Sequence, residues 1–193
     1  MSGPRVYLAG PDVFLPEPEA WAAEKAAICS RHGLSGVSPL DPLREEPADW
    51  AAHPEWRRIA LRNEAHLRSC AAVIANLTPF RGPSADPGTV YEVGFARGLG
   101  LPVFGYACAD AGFLARTRAT VQTVAGPGSS WRDADGLLIE HFGLFDNLMI
   151  EGGIATGGGL LLAEDAPDRW RDLGLFERCV EVAASRLARG TGS

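Results

Sequence analysis

Between residues 5 and 107, β-type runs and helical stretches alternate, and this alternation constrains the fold more than any other feature of the 193-residue chain. Residues 5–9 (RVYLA) form a β-type run ending at Gly10-Pro11, and residues 17–32 carry Trp21, Ala22, Ala26 and Cys29 at helical spacing. A second strand is expected at 34–39 and a helix at 54–69, opened by Pro54. The run AAVIANL at 71–77 is nearly unbroken in its apolarity, as strands buried on both faces of a parallel sheet are. A further helix and the run LPVFGYA at 101–107 continue the series. Beyond it the pattern predicts a helix at 111–118, a fifth strand at 120–125, a polar loop at 126–136 and an amphipathic helix at 168–189.

These elements predict an α/β fold: a doubly wound, mostly parallel five-stranded sheet of flavodoxin-like or Rossmann-like type with helices on both faces. One domain is expected over 1–193, with a helical extension from about 165 and residues 190–193 frayed. In such sheets ligands collect at the carboxyl ends of the strands, which places Gly10-Pro11-Asp12 and residues 78–86 near any site. A net charge of −6 removes the basic surface that a nucleic-acid polymer requires, and no run approaches the roughly 20 apolar residues that span a bilayer. The expected partner is a small molecule. The N-terminus enters a strand pattern without a signal-type apolar region, so a cytoplasmic location is expected. Four scattered cysteines, without a CxxC pair, read as reduced core thiols, and no metal site is expected.

The stretch SADPGTVYEVGFARG at 84–98 places one carboxylate, Glu92, inside an otherwise apolar helix. Asp86 suits the N-cap and Pro87 the first helical position. Gly88 lies one turn before Glu92 on the same helical face, leaving a gap above its carboxylate. A carboxylate reached through such a gap can attack an electrophilic carbon, as Asp and Glu nucleophiles do at anomeric centres. Spacing alone equally allows Glu92 a structural role, exposed or paired with an arginine such as Arg97, and Asp86 a purely capping one.

Three segments, VYLAGPDVF (6–14), NEAHLRSCAAVIANLTPFRGPSADPGTVYEVGFARGLGLPVFGY (63–106) and IEHFGLFDNLMI (139–150), together resemble the nucleoside 2-deoxyribosyltransferase family. The resemblance implies cleavage of the N-glycosidic bond of a 2′-deoxynucleoside and transfer of the deoxyribosyl group to another free base, without a cofactor. Carried over by position, Glu92 resembles the family nucleophile, Asp86 the sugar-binding aspartate, and Tyr7 the tyrosine that hydrogen-bonds the nucleophile. Asn147 resembles an asparagine lent to a neighbouring subunit's site, which implies a homo-oligomer. Where family members often carry an aspartate that protonates the base, this chain has Asn63, and an amide cannot be a general acid. Asn63 is therefore expected to hydrogen-bond the base, leaving protonation to water, Asp12 or Asp41. Gly10, Phe14 and Gly88 complete the expected binding set, with Phe14, Trp56 and Phe80 as candidates to stack on a base.

Two other readings share these residues. One is a hydrolase of 2′-deoxynucleoside 5′-monophosphates, against which Asp12, in the loop after the first strand, argues by repelling phosphate. The other is a non-catalytic nucleotide-binding module or a phosphoribohydrolase-type enzyme, whose PGGxGTxxE motif ADPGTVYE echoes only in part. Arg57, Arg58 and Arg62 are expected to be solvated along one helix flank, and the four histidines to lie on helix surfaces or loops. The glycines of 152–159 read as a helix end and a turn.

Overall fold

The computed structural model describes residues 3–190; of the residues expected to fray, 191–193 lie outside that range. Five parallel strands make the main sheet: β1 (Arg5–Ala9), β2 (Ser35–Val37), β3 (Ala72–Asn76), β4 (Val103–Cys108) and β8 (Leu160–Glu164), in the order β2-β1-β3-β4-β8. The helices are α1 (Pro18–Arg31), α2 (Glu55–Arg68), α3 (Pro87–Gly98), α4 (Phe113–Thr120), α5 (Leu148–Thr156) and α6 (Gly174–Gly190).

The alternation of side chains along β1 decides what each face receives. Val6 and Leu8 point into a core shared with Ile28 of α1 and with Phe176, Cys179 and Val180 of α6. Tyr7 and Ala9 point the other way, into a core shared with Leu67 of α2, Val93 and Ala96 of α3, and Ile154 of α5. The helical extension thus closes one face of the sheet. Because the chain leaves β1 toward β2 on one side and later enters β3 on the other, the strand order reverses beside β1, opening a crevice past Ala9 and Asn76.

The fifth strand is where the sequence reading and the structure part. Residues 120–125 were expected to supply it; instead β5 (Thr123–Ala125) pairs antiparallel with β6 (Trp131–Asp133), which pairs with β7 (Leu138–Ile139) in a separate small sheet. Val124 is 61% exposed, so this segment lacks the two-sided burial of a central parallel strand. The polar loop expected at 126–136 contains β6. The fifth parallel strand is β8, hidden in the sequence behind a glycine run. Gly159 is required there: a Cβ would lie 1.8 Å from the carbonyl oxygen of Val103, so only glycine lets the chain come down beside β4. Among the described residues no helix is long and apolar enough to cross a membrane. All four cysteines are free and buried, as read from their spacing.

Candidate active site

The N-terminus of α3 forms as its residues dictate. Asp86 caps it, its Oδ2 accepting from the Thr89 amide at 2.8 Å and the Thr89 hydroxyl at 3.1 Å, and Pro87 occupies the first turn. Glu92 follows in the second turn, 8% exposed, on the face turned toward β1. Since Tyr7 is one of the β1 residues on that side of the sheet, its hydroxyl donates to Glu92 Oε1 at 2.6 Å. Asn63 of α2 donates to the same oxygen through Nδ2 at 3.2 Å. Both donors converge on Oε1, leaving Oε2 with no hydrogen bond among the described residues and open to a cavity of about 440 Å³.

Burial pushes the Glu92 carboxyl up to about 7, the bonds from Tyr7 and Asn63 pull it down, and the like charge of Asp86 pushes it up. Burial first, and then the neighbouring Glu92 charge, raise the Tyr7 phenol far above its ordinary range, so Tyr7 remains a donor. The site holds one carboxylate oxygen fixed and presents the other, near neutrality, to the cavity.

Gly10, Phe14, Asn63, Asp86, Gly88 and Glu92 all line this cavity. A Cβ at Gly88 would meet only Asp86 Oδ2, at 3.0 Å, so the space above Glu92 is open on that side. At Gly10 a Cβ would fall 2.4 Å from Asp12 Oδ2 and 2.8 Å from the Asn76 Cβ, so a side chain there would dislodge the Asp12 carboxylate. Phe14 is 59% exposed and stacks on Phe80 with ring centroids 5.5 Å apart. Trp56, 70% exposed, is not part of the wall.

Asp12, Asp41 and Asn147 lie off this wall. Asp12 makes an ion pair with buried Lys25 at 2.7 Å and accepts from Asn76 Nδ2 at 3.2 Å. The Asp41 carboxylate accepts from the Ser38 amide at 2.9 Å, closing its own turn. Asn147 caps α5, accepting from the Met149 amide at 2.9 Å and donating to Glu140 Oε1 at 2.7 Å, beside a separate groove between α3 and α5.

Two expectations are corrected at α2. Arg58 and Arg62, read as solvated, stand on the cavity wall; Arg62 is held by Glu46 at 2.9 Å, and Arg58 Nε is buried without a partner. Their spacing carried the signal: Glu55, Arg58, Ile59, Arg62 and Asn63 form a stripe at i, i+3, i+4, i+7 and i+8, and Asn63 was already placed at the site. Asn63 Oδ1 is likewise buried and unpaired, so the α2 wall offers one orphan donor and one orphan acceptor. His66, expected at a surface, is 2% exposed, its Nε2 2.9 Å from the Asp41 carbonyl oxygen.

The family model for nucleoside 2-deoxyribosyltransferases matches residues 6–149. An uncharacterized protein of Schizosaccharomyces pombe is 31% identical over 173 residues, covering 83% of this chain and 82% of its own. The solved 2-desoxiribosyltransferase of Leishmania mexicana is similar over 92% of this chain and 97% of its own, with 27% identity and a TM-score of 0.60. A conserved Enterococcus faecalis protein shares the fold, with a TM-score of 0.51, 17% identity, and coverage of 94% and 99%. The matched segment holds Tyr7, Asn63, Asp86 and Glu92 together, and the chain belongs to the nucleoside 2-deoxyribosyltransferase family.

Proposed function

We propose that the protein transfers the 2-deoxyribosyl group between nucleobases by double displacement through an ester on Glu92. The observation that carries this reading is the division of labour within one carboxylate: Oε1 accepts from Tyr7 and Asn63 while Oε2 faces the cavity. Oε2 attacks C1′, the bond from C1′ to the base nitrogen breaks with its electron pair going to the base, and the base gains a proton. A second base then attacks C1′ from the face the first one left, the Glu92 carboxylate departs, and the incoming base gives its N–H proton to water. Two inversions return the β configuration.

The transition state is oxocarbenium-like, and the missing 2′-hydroxyl makes it easier to reach. Asp86, whose Oδ1 is not used in capping, supports binding of the sugar from the same wall. The orphan groups of Arg58 and Asn63 fit the edge of a base, which presents acceptors beside N–H groups. Neither Asp12 nor Asp41 reaches the cavity, so water supplies the proton, along a wall where Glu55 is the α2 carboxyl. Lys25 neutralises Asp12, which removes the earlier argument against a 5′-phosphate; Asp86 and Glu92 now argue for a neutral nucleoside. Asn147 serves a neighbouring subunit in this reading, and the 74% exposure of Met149 beside it supports a subunit contact there.

Intact-protein mass spectrometry with a slow 2-deoxy-2-fluoro nucleoside tests the intermediate. A gain of one sugar mapping to Glu92 is the expected result; unmodified protein after loss of the base, or a sugar on another residue, would refute the ester.

Tyr7→Phe probes the fixed oxygen. Without the phenol the carboxylate loses a bond that favours its ionised form, so its pKa rises above about 7. Exchange should fall by about 10- to 100-fold near pH 6, with part of the loss recovered at pH 8 to 9. A pH profile parallel to wild type would show that Tyr7 does not tune the nucleophile.

A further inference from the structure

Beside the catalytic cavity lies a second groove, of about 360 Å³, built from three distant parts of the chain and sharing Phe14 as its dividing wall. Phe14 comes from the turn after β1, Phe80 and Arg81 from the loop after β3, and Arg169 and Trp170 from the segment preceding α6. Phe80 stacks on Phe14 and meets Trp170 edge-on at 6.0 Å. The volume lies within the roughly 300–1,000 Å³ of small-molecule sites.

The groove differs from its neighbour in having no carboxylate on its wall. The chain carries a net charge of −6, and the catalytic cavity mixes Glu55, Asp86 and Glu92 with Arg58 and Arg62. The groove has two arginines on its wall and no carboxylate. Arg81 packs its guanidinium over the Phe80 ring at 4.5 Å and the Phe14 ring at 5.3 Å. Stacking uses the face of a guanidinium and leaves its N–H groups in plane, and among the described residues Arg81 makes no ion pair and donates no hydrogen bond. Arg169 lies over Trp170 at 4.9 Å and donates to the Pro79 carbonyl, which holds it at the same rim. A planar fork with free donors matches phosphate oxygens bidentately, and Phe14, 59% exposed, offers ring surface against which a base can pack.

We infer that this groove is an accessory site for a nucleoside 5′-monophosphate, its base against the aromatic wall and its phosphate on Arg81 and Arg169. The site takes no part in the exchange chemistry itself. Because Phe14 faces both spaces, an occupant of the groove sits against the mouth of the catalytic cavity.

Calorimetric titration of the full-length Glu92→Gln protein tests this without any turnover. The ligands are AMP, adenosine and inorganic phosphate, each with and without saturating deoxyinosine. AMP is expected to bind about 10- to 100-fold more tightly than adenosine at low salt, the gain of a charge-assisted phosphate contact, and more tightly than inorganic phosphate. Arg81→Ala should erase the preference for AMP over adenosine, and Arg81→Lys, which keeps the charge but loses the fork, should retain only part of it. Deoxyinosine should leave AMP able to bind, its affinity changed by less than about tenfold because the two spaces share Phe14. Equal affinities for AMP and adenosine, or an undiminished preference in Arg81→Ala, would overturn the site. Competitive displacement of AMP by deoxyinosine would overturn it too, since the phosphate would then belong to a ligand seated in the catalytic cavity. Failure of base exchange in the wild-type protein would bear on the transferase reading and leave these titrations as they stand.

Discussion

Glu92→Gln is expected to lower base exchange between deoxyinosine and free adenine by roughly 10⁴-fold or more, and to make the protein more stable at pH 8. The loss of activity follows from removing the attacking oxygen while leaving the shape of the site. The gain in stability follows from the burial that raises the Glu92 carboxyl. Folding raises the Glu92 carboxyl from its ordinary 4.5 to about 7, so the folded state holds a proton that the unfolded chain has already released between those values. The contribution of Glu92 is fully favourable below pH 4.5 and is lost as pH rises through about 7, leaving a penalty of up to about 3 kcal/mol at pH 8. Glutamine carries no charge and escapes the penalty. Thermal unfolding of both proteins from pH 4.5 to 8 should therefore show a stability difference that opens as pH rises, alongside an exchange assay near background. Wild-type exchange rates in the variant would end the nucleophile assignment, and a difference independent of pH would show that Glu92 is not ionised against its environment. A buried carboxylate kept at a cost in stability is a common trade at functional sites.

Lys25→Ala is expected to destabilise the fold by about 3 kcal/mol or more, a larger effect than a surface ion pair would give. Lys25 is 5% exposed; its Nζ lies 2.7 Å from Asp12 Oδ2, donates to the Tyr106 hydroxyl at 2.7 Å, and sits 5.0 Å from the centre of the Phe176 ring. Removing it strands the Asp12 carboxylate beside Gly10 and leaves the Tyr106 hydroxyl, in a residue 3% exposed, without its donor. The double variant Lys25→Met/Asp12→Asn should recover much of the loss, because it removes both charges and keeps an amide for Asn76. Urea denaturation of the two variants and the wild type measures this. A Lys25→Ala effect below about 1 kcal/mol, or a double variant no better than the single one, would mean that the pair is not a buried anchor. The anchor also matters to the site: it pins the turn that carries Gly10 and Phe14, so the Lys25 variants that fold should bind ligand more weakly.

The parts of this molecule that were legible in its residues are those written in local spacing. The run AAVIANL became a fully buried central strand because continuous apolarity has no other compact use in an alternating α/β chain. Asp86-Pro87 started α3 because a capping carboxylate and a fixed proline torsion act over one turn. The fifth strand was misread because LLLAE is short and follows three glycines, while the run near Thr123 looks locally like a strand; the parallel partner is chosen by the space beside β4, which no local window contains. Arg58 and Arg62 were misread because charge suggests solvent, whereas their place on α2 depends on which way that helix is rolled against α3.

Sequence alone determined the alternation of strands and helices from residue 5 to 107 and the cap and helix that carry Glu92. Tertiary structure alone decided that Tyr7 and Asn63 would meet on one oxygen of that carboxylate, that Lys25 would silence Asp12, and that Phe14, Arg81 and Trp170 would close a second groove. The physical reason is range. Torsions, caps and apolar periodicity act over a few residues and are written where they act, whereas hydrogen bonds and ion pairs form between groups that only the order and facing of the strands bring within 3 Å or so.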